Sequence, residues 1–257
     1  MQRSVDIGQV ISRATSAYGA QAGVVLPAAL IVFGPVALLD ALLGGESSGG
    51  SSALAFAVSL LAGAWFQAMV VEAVRDIQDG RRDLTLAELL RAPTPVLGPL
   101  VITGLLAFAG IAIGMVLFIV PGLLLLTWWA VIVPVVVVER PGIGPAFSRS
   151  RELVRGHAWQ VFALLVVMLL ILGVLTLFVA IGVAIADSRV ATALGSLVSE
   201  VLLVPFVSIT VATLYFALRE AHGEAPVPAL AARSYGPGGG FAPPRSPTPE
   251  RPDIGLS

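Results

Sequence analysis

The fold of this chain is decided by its longest uncharged stretch, residues 96–138, which reads VLGPLVITGLLAFAGIAIGMVLFIVPGLLLLTWWAVIVPVVVV. At about 1.5 Å per helical residue, a single helix of this length would be more than twice as long as the roughly 30 Å hydrocarbon core of a bilayer. Val-Pro-Gly at 120–122 lies near the middle, and Pro-Gly is a turn signal. We therefore expect two membrane helices joined by a tight turn at 120–122.

The rest of the chain has the same character, because 57% of its 257 residues are hydrophobic and only 12% are charged. An ordinary globular domain carries about 25% charged residues. The apolar residues also form blocks of the length that a membrane helix needs, about 17–25 residues or slightly more when tilted. The sequence predicts an all-α membrane domain at 1–220 with six transmembrane helices, paired as three hairpins, over 22–43, 53–74, 96–119, 122–138, 158–186 and 194–218.

Arginine placement predicts the orientation of these helices. All fifteen basic residues are arginines. Positive residues concentrate in the short cytoplasmic segments of membrane proteins. With the N-terminus inside, fourteen arginines fall in cytoplasmic segments and only Arg189 falls in an outer loop. We expect a multi-pass protein of the plasma (inner) membrane with both termini cytoplasmic.

An amphipathic segment precedes each predicted hairpin. After Pro145, the residues Ala146, Ser150 and Leu153 share one helical face, and the opposite face carries arginines. Such a helix lies in the interface with its basic side chains at anionic headgroups. Similar segments precede the first two hairpins, at 5–19 and 83–93. We predict three repeats of a cytoplasmic interfacial helix followed by a hairpin. The alternative, that any cytoplasmic loop tends to be basic and amphipathic, stays open.

Residues 120–162, VPGLLLLTWWAVIVPVVVVERPGIGPAFSRSRELVRGHAWQVF, and the closing helix 205–220 resemble a bacterial family of integral membrane domains. This family is the membrane domain of glycerophosphoryl diester phosphodiesterases, together with its stand-alone, YciC-like relatives. The matching residues are Pro121, Gly122, Trp128, Pro134, Glu139, Ala146, Ser150, Leu153, Gly156 and Trp159. No phosphodiesterase domain follows in this chain, so the resemblance implies a membrane fold and no catalytic activity.

Polar and ionisable groups in or beside membrane helices are the default candidates for function. Glu139 ends the fourth predicted helix, and we expect it to pair with Arg149 or Arg151 and to fix the angle of the connection. Glu72 lies three residues before Arg75, a spacing that makes helical neighbours. The full set of candidates, structural or functional, is Gln67, Glu72, Pro134, Glu139, Arg149, Ser150, Arg151, Arg155, Gly156, Trp159 and Glu200.

Chemistry that depends on metals or thiols finds little support in the sequence. There is no cysteine, and the only two histidines, His157 and His222, lie in different segments. We therefore predict no metal site, no cofactor and no catalytic group. The net charge of −1 does not suggest nucleic acid as a partner.

The leading hypothesis for function is a non-enzymatic accessory or scaffold protein of the cell envelope. Its expected partners are bilayer lipids, with anionic headgroups at the cytoplasmic arginines, and a membrane protein or a second copy of the chain. A small transporter or channel is one alternative, and a membrane-embedded lipid-binding or lipid-modifying protein is another. The Pro- and Gly-rich segment 221–257 has too little apolar content for a core, which predicts a disordered cytoplasmic tail.

Overall fold

A computed structural model describes residues 6–43, 49–78, 85–186 and 188–224. These ranges are helical and contain no strand. Six helical stretches are long and apolar enough to cross a membrane, so the chain is an all-α multi-pass membrane protein, as predicted. The α-helices are α1 (Ile7–Leu43), α2 (Gly49–Gln78), α3 (Leu86–Arg91), α4 (Leu97–Leu117), α5 (Ile119–Trp128), α6 (Ile132–Pro134), α7 (Ile143–Val154), α8 (Ala158–Ala186) and α9 (Arg189–Ala221).

The bundle is built around α1, α2 and α9, which pack against one another, with α8 paired to α9. Aliphatic side chains make up most of its buried core, which also contains aromatic rings. Tyr215 is fully buried, and the rings of Phe33 and Phe66 lie 5.3 Å apart. Large apolar side chains also lie on the outer surface, where Leu169 and Phe178 of α8 are each 70% exposed. Apolar side chains on both the inside and the outside are expected of helices that face lipid.

The first helix differs from the prediction, because the amphipathic segment and the first span form one continuous helix, α1. A helix continues as long as each residue adds a hydrogen bond, and no proline interrupts the boundary near residue 20. Gly19 and Gly23 lie inside the helix. The apolar face that was predicted to meet lipid is partly used within the protein, since Val10 and Ala14 are buried in the core.

The turn between the third and fourth spans lies at Phe118, not at the predicted 120–122. Phe118 is extended, with φ −156° and ψ 136°, and α5 begins at the next residue. Pro121 and Gly122 therefore belong to the first turn of α5. Proline is tolerated there because the first backbone N–H groups of a helix have no partner within it. Pro121 and Gly122 thus lie near the start of a helix, and the helix break at Phe118 comes three residues before Pro121.

Small residues bring α4 and α5 together at the segment GIAIG, residues 110–114, since small residues let helix backbones approach closely. The Cα atom of Gly122 lies only 3.0 Å from the position that a Cβ of Gly114 would occupy. A Cβ on Gly110 would meet the ring of Trp129 at 2.8 Å. At the tip of this hairpin, all five residues from Val116 to Val120 are apolar and between 65% and 86% exposed.

The fourth span is not one regular helix. After α5, the turn Trp129–Val131 leads into the short α6 and then into a π-helical turn, Val135–Glu139. Pro134 is buried at the junction between these last two pieces. Arg140 then adopts a left-handed conformation with φ 52°, and Gly142 with φ 91° precedes α7. The chain thus reverses direction within a few residues of Glu139.

The other two amphipathic segments form helices as predicted. In the capping box of α3, the Thr85 hydroxyl accepts a hydrogen bond from the backbone N–H of Glu88, and the Glu88 carboxylate accepts one from the N–H of Thr85. Helix α7 buries Ala146, Ser150 and Leu153 on one face. It starts two residues earlier than Pro145. Helix α8 spans the predicted 158–186.

Candidate functional site

The segment 140–157, which we call the elbow, is held against the end of α5 by three contacts. The Ser150 hydroxyl donates a hydrogen bond of 2.8 Å to the carbonyl oxygen of Trp128. The guanidinium of Arg151 lies 4.3 Å from the centre of the Trp128 ring. The rings of Phe147 and Trp129 meet edge to face at 4.9 Å. Because the last carbonyls of a helix lack partners within it, Ser150 also caps α5.

Arg149 is the centre of an ionic cluster on the elbow. Its Nε donates a 2.8 Å hydrogen bond to Oε2 of Glu139, which confirms one of the two predicted pairings. Its Nη1 lies 3.3 Å from Glu152, and its Nη2 donates to Oε1 of Glu224. One guanidinium therefore joins the end of the fourth span, the elbow helix and the segment after α9.

Helix α9 completes this cluster from the other side. The Tyr215 hydroxyl donates a 2.9 Å hydrogen bond to Oε1 of Glu139. Arg219, one turn further on, donates from Nε to Oε2 of Glu224 at 2.7 Å. The Arg219 Nη1 also lies 3.5 Å from the Tyr215 oxygen. We call these six residues the elbow network: Glu139, Arg149, Glu152, Tyr215, Arg219 and Glu224.

The pKa values of the elbow network follow its geometry. Burial alone would raise the pKa of the Glu224 carboxyl, but hydrogen bonds and charge attraction from Arg149 and Arg219 outweigh it and hold that pKa below its ordinary value of 4.5. Burial likewise works against the charge of Arg149, and its hydrogen bonds with Glu139 and Glu224 raise its pKa above the ordinary value. Both groups are therefore charged throughout the physiological range.

The candidate residues did not include four members of the elbow network, Glu152, Tyr215, Arg219 and Glu224. Tyr215 lies far from Glu139 along the chain and carries no charge, so nothing local links the two. Glu224 fell within the predicted tail, although the structure describes residues 221–224 as the end of α9 and its closing turn. A glycine after a periodic helical segment often ends that helix, so Gly223 was the signal that could have included Glu224.

A second charged group lies in α2. Glu72, Arg75 and Asp76 are all buried, and Arg75 Nη1 lies 3.4 Å from Oε2 of Glu72. This pair has the predicted spacing. Gln21 of α1 reaches the same part of α2, because its side-chain amide donates a 3.1 Å hydrogen bond to the carbonyl of Ala73. Buried charges are costly unless paired, so this group ties α1 and α2 together near the end of the second span.

The two histidines, expected in separate segments, lie side by side. His157 ends the elbow and is buried, and its ring centre is 5.6 Å from that of His222. The Nδ1 of His222 is 2.8 Å from the carbonyl oxygen of Leu218. Across the described ranges, no group of three or more His, Cys, Asp or Glu residues could hold a metal ion.

The remaining candidate residues are scattered. Gln67 is half-buried in α2, and Glu200 is half-buried in α9. Arg155 is exposed at the end of α7, and Gly156, with φ 90°, makes the turn into α8. Trp159 is 76% exposed on the first turn of α8, where an interfacial tryptophan is expected. Of the candidates, Glu139 and Arg149 therefore belong to the elbow network, and Ser150 and Arg151 contact Trp128 at the end of α5. The residues named in this paragraph take part in neither set of contacts.

An apolar cavity of about 310 Å³ lies elsewhere, between α8 and α9, and is lined by residues that include Val179, Val183, Leu194 and Val198.

A comparison of the chain with protein-family models, curated proteins and solved structures gives no match.

Proposed function

We propose that this multi-pass membrane protein is a non-enzymatic accessory or scaffold protein of the cell envelope, which presents the elbow to a membrane-protein partner. The observation that carries the proposal is the set of ion pairs that Arg149 forms. Its donors contact three carboxylates that come from different parts of the chain. Charged groups that form hydrogen bonds with one another hold the segments that carry them in fixed relative positions. A rigid, polar elbow suits recognition.

Photo-crosslinking in intact membranes tests the scaffold role. A photoreactive amino acid is placed at Ser148, which is exposed on the elbow, and as a control at Leu177, which is 60% exposed on α8. We expect one protein adduct in stoichiometric yield from position 148 and lipid adducts from position 177. Lipid adducts alone at both positions would contradict the scaffold role.

A lipid-binding role is a second candidate, because three elbow arginines face outward. Arg140, Arg151 and Arg155 are exposed, and none of them forms an ion pair with a residue that the structure describes. Exposed guanidinium groups beside a membrane attract anionic headgroups, at about 1 kcal/mol for each basic residue near the surface. Native mass spectrometry in nanodiscs with phosphatidylglycerol tests this role. Replacing all three by glutamine should reduce the retained anionic lipid, whereas Arg13→Gln should not.

The cytoplasmic orientation of both termini belongs to the same proposal. It is supported by two contacts that bring distant segments to one end of the bundle. Arg13, near the start of α1, lies 3.4 Å from Glu220, near the end of α9. Arg149 of the elbow contacts Glu224 just beyond it. A reporter fused after Ser257 should be shielded from the outside of the cell, and one inserted at Ser48 should be accessible.

The resemblance to the phosphodiesterase-associated membrane family also remains a prediction, since no match tests it. It is compatible with a scaffold role, because a membrane domain of this kind can be attached to a separate catalytic domain. An alignment of homologues in which Glu139, Ser150 and Gly156 vary without constraint would count against the resemblance.

A further inference from the structure

The position of Glu224 is set by the way α9 ends. Gly223 adopts a left-handed conformation with φ 73°. Its N–H donates to the carbonyl of Glu220 at 3.0 Å, and the N–H of Glu224 donates to the carbonyl of Arg219 at 3.0 Å. This pair of hydrogen bonds is the Schellman arrangement, in which glycine adopts the left-handed position at no steric cost. The turn brings the Glu224 carboxylate back beside the last turn of α9.

Two guanidinium groups converge on that carboxylate. Arg149 from the elbow donates to Oε1, and Arg219 from α9 donates to Oε2. Each oxygen of Glu224 thus has its own arginine. Guanidinium groups bind carboxylate and phosphate oxygens with the same geometry, because both present paired acceptors to the planar N–H fork. A phosphate group could therefore take the place of the Glu224 side chain.

We propose that Arg149 and Arg219 form a binding site for a phosphate group, and that Glu224 occupies this site as an internal competitor. The site is distinct from the exposed arginines of the elbow, and it does not require a protein partner. It is partly accessible, because the side chains of Arg149 and Arg219 are 22% and 15% exposed. The Tyr215 hydroxyl, 3.5 Å from Arg219, borders the site.

Donors that Glu224 would release support exchange of one anion for another. Glu224 accepts from Nη2 of Arg149 and from Nε of Arg219, and its side chain is 25% exposed. Departure of Glu224 leaves these two guanidinium donors without that acceptor. The oxygens of a phosphate group would accept from the same donors. Glu224 can leave without unfolding a helix, because it lies beyond α9 in a closing turn, and helix ends open at low free energy.

The decisive variant is Glu224→Gln, which removes the competing charge and keeps the shape of the side chain. Its matched control is Glu220→Gln, which removes an exposed carboxylate one turn earlier that pairs with Arg13. The full chain is measured in zwitterionic detergent with sodium phosphate, against sodium chloride at equal ionic strength, and the shift of the melting temperature gives an apparent Kd. Anionic lipid is measured separately, as phosphatidylglycerol retained from phosphatidylcholine nanodiscs by native mass spectrometry.

We expect Glu224→Gln to bind at least one probe about tenfold more tightly than the wild type, because a site blocked nine-tenths of the time loses that factor in apparent affinity. Glu220→Gln should match the wild type. Adding Arg149→Gln should abolish the gain. A gain for sodium phosphate alone identifies a soluble phosphate as the ligand source, and a gain for phosphatidylglycerol alone identifies a headgroup.

Equal binding of both probes by Glu224→Gln and the wild type overturns the proposal, as does an equal gain in Glu220→Gln. If Glu224→Gln does not fold, the wild type supplies the test. Saturating sodium phosphate should then speed hydrogen exchange at the amides of Gly223 and Glu224, and unchanged exchange together with no phosphate-dependent melting shift overturns the proposal. The outcome is independent of the crosslinking result at Ser148, so the two proposals can fail separately.

Discussion

The pairing of Glu139 with Arg149 should stabilise the protein measurably, and a double-mutant cycle tests this. The two side chains are only 21% and 22% exposed, and their closest atoms are 2.8 Å apart. At an effective dielectric constant of about 20, two unit charges about 4 Å apart attract by about 4 kcal/mol before desolvation is counted. Exposed pairs retain about 0.2–1 kcal/mol of this. We expect a coupling of about 1.5 kcal/mol for this more buried pair.

The single variants should differ in a way that the geometry explains. Arg149→Gln also removes the partner of Glu152 and one of the two arginine partners of Glu224, so it should cost about 3 kcal/mol, close to the lower limit for breaking a buried pair. Glu139→Gln should cost about 2 kcal/mol, because its amide oxygen still accepts from Tyr215. The double variant should cost about 3.5 kcal/mol rather than the sum of the two.

The assay is unfolding by sodium dodecyl sulfate added to dodecylmaltoside micelles, followed by tryptophan fluorescence. Trp128 lies against the elbow and reports directly on it. The control cycle uses Arg13 and Glu220, which are each 57% exposed at 3.4 Å and should couple by less than about 0.5 kcal/mol. If the costs of Glu139→Gln and Arg149→Gln simply add, the pair does not hold the elbow and our reasoning is wrong.

Three further predictions concern the hairpin, the α5 cap and the closing turn. Gly122→Ala should destabilise the protein by about 2 kcal/mol, because its Cβ would lie 2.6 Å from backbone and side-chain atoms of α4. The control Gly104→Ala meets no atom within 4 Å and should change stability by less than about 0.5 kcal/mol in the same assay. Ser150→Ala leaves the last carbonyl of α5 without its donor and should cost about 1–2 kcal/mol, and a loss as small as that of the exposed Ser148→Ala would contradict the capping role. The pKa of Glu224 is lowered in the folded protein, so its contribution to stability is present above the ordinary pKa of 4.5 and is lost as the pH falls below it. The free energy of unfolding, measured from pH 6 to pH 3, should therefore fall more steeply for the wild type than for Glu224→Gln. Parallel curves would contradict this prediction.

Features that depend on residues close together in the sequence were predicted, and features that depend on packing between distant segments were not. Helix α8 was predicted at 158–186 because a long uninterrupted apolar run has no other stable arrangement in lipid. The Glu139–Arg149 pair was predictable because ten residues and a turn separate its members. The turn at Phe118 was not, because Pro-Gly can either end a helix or occupy its first turn, and packing against α4 decides between these.

The long-range part of the elbow network could not be predicted for a related reason. Tyr215 reaches Glu139 only because α9 packs beside the end of the fourth span, and no local pattern reports that packing. The contact between His157 and His222 depends on the same arrangement. The charged residues indicated which segment was polar, and the tertiary structure determined which residues on other helices meet it.

The tip of the α4–α5 hairpin has a consequence for how the protein fits membranes of different thickness. From Val116 to Val120 it carries no polar side chain that could bind a headgroup and fix its depth. The opposite end of α5 is attached to the elbow through Ser150. When bilayer thickness changes, the elbow should keep its level and the tip should absorb the hydrophobic mismatch by moving within the acyl chains.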